Sequence, residues 1–196
     1  MEFIPVFGIE GQNIELVHEV RLLGLQITSD LRWRTNTSNI VCRANKRLWI
    51  LRRLRNYGAS TSSLADVYTK QIRSILEFGV PIWQGNITLE EKNDIERVQR
   101  CATHIILGDH YKTYPEALKA LNLETLEVRR IRLCLNFALK AESHPKFRNW
   151  FVPTTKAYNT RHNKKYKDVF ANHARFSRSP LGYLIRLLNM HYSNKH

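Results

Sequence analysis

Apolar residues fall in short runs over the first 33 positions and then recur at helical spacing to about residue 141. Phe3-Ile-Pro-Val-Phe-Gly-Ile9 predicts a strand edged by Pro5, Glu10 to Asn13 a turn, and Ile14-Glu-Leu16 a returning hairpin partner. Val20 to Ile27 predicts a second strand, with Gly24 inside it marking a bulge or a close backbone approach. Ile40, Val41, Ala44, Leu48, Leu51 and Leu54 then form a helical stripe, with Thr37 or Ser38 as cap and Gly58 as stop. Leu64, Val67, Tyr68, Ile72, Ile75 and Leu76 form another, opened by Ser63 and Asp66 at capping-box spacing and ended by Gly79 and Pro81. Thr88-Leu-Glu-Glu91 opens a third helix, with Leu89, Ile95, Val98, Cys101, Ala102, Ile105 and Ile106 as its apolar face and Gly108 as its end. Pro115 suits the first turn of a short helix to Leu121. A last strong helix is predicted from about Thr125 to Ala141, with Val128, Ile131, Leu135 and Ala138 or Leu139 inward. After His144-Pro145 apolar content is low until Leu181 to Leu188, which predicts a poorly packed arm and a short closing helix. The predicted fold class is mainly α: strands over 1–33, a helical bundle over 34–144, and a basic, partly irregular arm over 145–196.

Charge sharpens this picture. The 196 residues carry 31 Lys and Arg against 17 Asp and Glu, a net of +14, and residues 145–196 alone hold 11 basic side chains against one acid, Asp168. An excess of this size attracts polyanions through counterion release, and nucleic acid is favoured over an anionic membrane surface. No apolar run is long enough to span a bilayer, and no secretory leader is evident. Cys42, Cys101 and Cys134 form no C-x-x-C pair, which fits a reducing compartment; the expected location is intracellular, the nucleus ahead of the cytoplasm.

Sites of chemistry are sparse. Two-metal catalysis needs clustered carboxylates, whereas Asp30, Asp66, Asp94, Asp109 and Asp168 are solitary and Glu90-Glu91 is explained by a helix start. Cys101, His104, Asp109, His110 and Cys134 imitate a zinc set, but Cys101 is expected on an apolar helix face, where a small hydrophobe is the ordinary reading. Nucleophile elbows and phosphate-binding glycine loops are absent from the sequence, and no cofactor is expected. The positive signal is Arg43, Lys46, Arg47, Arg52, Arg53 and Arg55, six cations with no anion in thirteen residues. A solvated outer face would produce the same composition, but the lack of balancing acids favours a ridge that tracks phosphates. Arg129, Arg130 and Arg132 crowd the opening of the last helix, where the dipole disfavours cations; a polyanionic partner or acidic neighbours would explain them. Trp33, Trp49, Trp83 and Trp150 are expected in the core or at its rim.

Several segments, in order, resemble the C-terminal part of reverse transcriptases from non-LTR (LINE-type) retrotransposons, especially the jockey and CR1-like groups. They are Val20-Arg-Leu-Leu-Gly-Leu-Gln-Ile-Thr-Ser-Asp-Leu-Arg-Trp33, the basic stretch Ala44 to Arg55, and Tyr68-Thr-Lys-Gln-Ile-Arg-Ser-Ile-Leu-Glu-Phe-Gly-Val-Pro-Ile-Trp83. Ile95-Glu-Arg-Val-Gln-Arg-Cys-Ala102, Leu121-Asn-Leu-Glu-Thr-Leu-Glu-Val-Arg-Arg130, Tyr158-Asn-Thr-Arg161, and Ser179-Pro-Leu with Leu188-Asn189 continue the series. The resemblance implies a primer-grip, thumb and post-thumb segment that holds an RNA–DNA template–primer. By carry-over, Arg21 and Gly24 lie near a primer terminus and the Arg43–Arg55 helix lies along the duplex. Lys70, Arg73, Arg129 and Arg130 are counted as further nucleic-acid contacts. The family's F-x-D-D or Y-x-D-D motif and upstream palm aspartate have no counterpart here, so polymerase activity is not carried over. Fingers and most of the palm would precede Met1 and stand as a partner segment. Two other readings stay open: an independent helix-turn-helix module built on 40–55 and 63–78, and an inert orphan fragment with exposed apolar surface near Val20 to Ile27.

Overall fold

Positive φ angles at two neighbouring residues, Leu23 (48°) and Gly24 (86°), decide the shape of the N-terminal region. They are the signature of a two-residue hairpin turn. The computed structural model, which describes residues 7–9, 12–154, 164–170 and 174–193, therefore folds Val20 to Ile27 into a hairpin and not one strand. Strand β3 (Glu19–Leu22) pairs antiparallel with β4 (Leu25–Thr28), Val20 opposite Ile27. Gly24 is the turn itself and not a bulge, and a Cβ there would sit 3.1 Å from the Phe78 ring. An earlier short hairpin, β1 (Phe7–Ile9) with β2 (Gln12–Ile14), gives the expected return two residues sooner, with Gln12 and Asn13 in the strand instead of the turn and Glu15 and Leu16 beyond it; Phe3 to Val6 lie outside the described residues. Leu25 is buried, and Gln26 N–H donates to Asn36 Oδ1 at 3.2 Å, which ties the second hairpin to the first helix.

That helix, α1 (Arg34–Asn56), starts earlier than its apolar stripe suggests. Thr37 is buried inside it and is not its cap; its hydroxyl donates to Glu91 Oε1 at 2.6 Å. Helix α2 (Thr61–Val67) is capped by Ser60, not Ser63: Ser60 Oγ accepts from Ser63 N–H at 3.2 Å. It continues through a π turn (Tyr68–Arg73) into α3 (Ser74–Leu76). Pro81 sits in the first turn of α4 (Val80–Trp83), where its missing N–H costs nothing. Helix α5 (Leu89–Leu107) has the predicted reciprocal cap between Thr88 and Glu91. It runs in the same direction as α1, with Thr37 meeting Glu91 at one end and Arg55 reaching the Ile105 carbonyl at the other. Gly108, at φ +54°, closes it; a Cβ there would lie 1.7 Å from Arg55 Nη2, so the guanidinium rests directly on the backbone.

Helix α6 (Tyr114–Ala120) and helix α7 (Leu126–Ser143) are joined to α5 by a polar chain. The Tyr68 hydroxyl donates to Gln99 Oε1 at 2.6 Å, and Gln99 Nε2 donates to the Tyr114 hydroxyl and the Glu124 carbonyl, both at 2.9 Å. Tyr114 in turn donates to Glu96, whose carboxylate accepts the Leu126 N–H at 3.0 Å and so helps start α7. Burial pushes the Tyr68 and Tyr114 hydroxyls above their usual pKa, so both stay donors. The inward stripe of α7 is Leu126, Arg130, Cys134, Ala138 and Ala141. Val128 and Ile131, expected inward, are 53% and 37% exposed. The cap at Thr125 fixes the helix phase so that Leu126 faces the core, and Arg130, one turn on, follows it.

The region beyond 145 is better packed than its composition suggests. Helix α8 (Ala174–Ser177) leads into α9 (Pro180–Ser193), which buries Leu184, Ile185 and Leu188 in the same hydrophobic cluster as α1 and α5. Phe151 and Tyr166 join it, and Asn189 bonds both backbone groups of Tyr166, at 2.9 and 3.0 Å. Glu142 collects Lys165 (2.6 Å), the Tyr166 hydroxyl and the Tyr192 hydroxyl (2.8 Å). The 34–144 and 145–196 segments thus share a core. Tyr158 and Arg161 lie outside the described residues.

Gln99→Leu leaves the buried Tyr68 hydroxyl and Glu124 carbonyl unpaired, and is expected to cost about 2–4 kcal/mol in urea unfolding. Tyr68→Phe alone is expected to cost about 1–2 kcal/mol, and the double variant about 1 kcal/mol less than the sum. Strict additivity would show that the two groups do not depend on each other.

Candidate nucleic-acid interface

Helix α1 contains no acidic residue and seven basic ones, and it is buried along one side by Ile40, Ala44, Leu48 and Leu51. At about 100° per residue, Lys46, Trp49 and Arg53 fall within roughly 60° of one another on the opposite side, with Arg43 beside them. All four are exposed. Together they make a crest whose Cα atoms span about 15 Å along the helix axis. Among the described residues, Arg43, Lys46 and Arg52 make no hydrogen bond or ion pair. Arg53 bonds only its neighbour, with Nη2 donating to the Tyr57 hydroxyl at 3.0 Å and the guanidinium 5.4 Å from the ring centre.

The other predicted residues separate from this crest. Arg47, on its flank, donates to the Gln71 carbonyl (3.0 Å) and side chain (3.2 Å). Arg52 lies on the other flank, roughly in line with Arg34, which pairs with Glu90 at 3.7 Å. Arg55 is spent on the carboxyl end of α5. Lys70 pairs with Asp66 at 2.8 Å. Arg73 and Arg129 converge on Glu77, and burial together with the neighbouring Arg129 lowers the Arg73 pKa. Arg130 is fully buried, with Nε on Gln84 Oε1 at 2.8 Å; burial lowers its pKa, while Glu96 and Glu127 oppose the shift. Arg132 pairs with Glu124. Acidic neighbours, not an outside polyanion, therefore account for Arg129 and Arg132, and burial removes Arg130 from any contact surface. Arg21 is exposed on β3, and Gly24 lies in the turn that follows that strand.

No family model, no curated protein and no solved structure matches this chain. The site is therefore characterised by its own chemistry. Among the described residues, no three His, Cys, Asp or Glu side chains gather as a metal site, and no helix is long and apolar enough to cross a membrane. Cys134 is buried and its thiol pKa is pushed up to about 12, so it remains a protonated hydrophobe. Cys101, expected on the apolar face, is exposed, because it lies about 100° round the helix from buried Ala102. A helix-turn-helix reading gains a short turn, Tyr57 to Ser60, but the helix that follows shows Asp66 already neutralised by Lys70 and no Asn, Gln or Arg at its start.

Trp49 is the residue that sequence reasoning missed. Trp33 and Trp83 are core residues at 8% and 0% exposure, whereas Trp49 is 58% exposed. Its flanking cations, Lys46 three residues before and Arg53 four after, were the available signal.

Arg129→Gln is expected to lower stability by about 1–3 kcal/mol, because it strands the largely buried Glu77 carboxylate beside Arg73 alone, and to leave polyanion binding unchanged. Paired urea titrations and binding curves check this; weakened binding at unchanged stability would return Arg129 to the interface.

Proposed function

We propose that this protein is a non-catalytic nucleic-acid-binding segment, the thumb-like part of a retrotransposon-type reverse transcriptase, which holds an RNA–DNA template–primer by its phosphates. The observation that carries the reading is the acid-free crest of α1. Several other basic side chains of the bundle are matched with Asp or Glu, as at Arg97–Asp94, Lys92–Glu127 and Arg132–Glu124. On the crest they are left unmatched, which is the arrangement that exchanges counterions for phosphates. The ordered sequence resemblance adds the polymerase context, and a mainly helical body behind a small hairpin suits it. Val20, Leu22 and Leu23 on the hairpin are 49%, 56% and 88% exposed, an apolar surface of the kind that an upstream fingers and palm segment would cover. Two exposed free cysteines suit a reducing compartment, with the nucleus as the place of action.

Anisotropy titrations with an RNA–DNA hybrid at several salt concentrations test the reading. A log–log slope of about −3 to −5 is expected, and Arg43→Gln/Lys46→Gln/Arg53→Gln should make it shallower by about 3 without lowering the melting temperature. A salt-independent affinity, or a triple variant that binds as the parent does, would remove the crest from the interface. Primer extension by this chain alone is expected to yield no product, and nucleotide incorporation would overturn its non-catalytic assignment.

A further inference from the structure

We propose that the crest of α1 takes unpaired nucleotides, with one base stacked on the Trp49 indole and the adjoining phosphates held by Arg43, Lys46 and Arg53. This rests on the phosphate-binding reading above: the crest that holds duplex phosphates has, in its indole, a feature that only the unpaired part of a template–primer can use.

Two independent observations converge. The first is that Trp49 is 58% exposed although the same chain buries Trp33 and Trp83 almost completely. A large indole left in water is a contact surface that the fold itself does not use. The second is its setting. Lys46 and Arg53 lie one turn before and one turn after it on the same face, and no acid occurs anywhere in α1. Tyr57 extends the row and is 75% exposed; its ring and hydroxyl hold the Arg53 guanidinium in place, at 5.4 and 3.0 Å. Cations that alternate with an open aromatic face form the platform that binds single strands, because every base has a π-face and every nucleotide a phosphate.

The other occupants fit less well. In a duplex both faces of each base are already stacked on their neighbours, so a flat indole finds only edges and backbone. A second copy of this chain would bring two cationic crests together without an acid between them. An acidic peptide would satisfy the cations but leaves the indole unexplained.

The test uses the full chain and four labelled ligands: an oligothymidylate dodecamer, an abasic deoxyribose-phosphate oligomer with equal phosphates, an RNA–DNA hybrid and an oligoglutamate of equal charge. The parent protein is expected to bind the dodecamer about 5- to 100-fold more tightly than the abasic strand. Trp49→Ala should abolish that preference while leaving the abasic strand and the hybrid bound as before, and Trp49→Phe should retain most of it. The exposed position makes both variants neutral to thermal unfolding, which a melt confirms. Equal binding of the dodecamer and the abasic strand by the parent would overturn base stacking while leaving the phosphate reading intact. Failure to bind any of the four ligands would overturn both. Oligoglutamate binding as tight as the dodecamer and indifferent to Trp49→Ala would overturn the proposal in favour of an acidic protein partner.

Discussion

Gln99 is fully buried, and the arrangement of the helices depends on what its amide does. Its oxygen accepts from Tyr68 in the π turn, and its nitrogen serves Tyr114 on α6 and the Glu124 carbonyl just before α7. A buried polar group of this kind is costly when unpaired and orienting when satisfied, because few geometries meet all its partners at once. Glu96, three residues before it, completes the link by taking the first amide of α7. Apolar burial supplies most of the cohesion, but it does not choose a helix register; this chain does. At the other end of α5, Glu91 acts similarly, capping its own helix and accepting from Thr37 on α1.

The same economy divides the arginines. Glu77 takes Arg73 and Arg129, the α5 carboxyl end takes Arg55, the π turn takes Arg47, and the core takes Arg130. Most of the cations that sequence alone marked as contacts are thus structural. Apart from Arg21 on the hairpin and Arg52 on the far flank of α1, what is left over is concentrated: Arg43, Lys46 and Arg53 on one exposed line, with an open indole among them. A smaller set of unpaired charges on a rigid helix is a better interface than a larger set on mobile chains, because less side-chain freedom is lost on binding.

The C-terminal region shows the limit of composition as a guide to packing. Its eleven cations suggested a poorly packed arm with a short closing helix; the helix is present as α9, but it lays Leu184, Ile185 and Leu188 into the core, and Glu142 with Asn189 fastens the segment around Tyr166. Three apolar residues at helical spacing outweigh the surrounding charge, since the charged side chains keep their heads in water while the helix buries one face.

The sequence by itself determined the helical class, the start of α5 at Thr88, the first-turn place of Pro115, the stop at Gly108 and the density of cations in α1. Those features follow from local rules of capping, periodicity and charge, which act over a few residues. Tertiary structure alone decided the rest. The 20–27 run folds back because two residues adopt positive φ, the phase of α7 hides Arg130, and Glu77, 52 positions from Arg129, neutralises it. Whether a charge is spent inside or offered outside depends on which distant acid the fold brings within reach. A local pattern cannot encode that distance, and so the exposed line of Trp49 with Arg43, Lys46 and Arg53 stands out only once the fold shows which of the other marked cations are spent on distant partners.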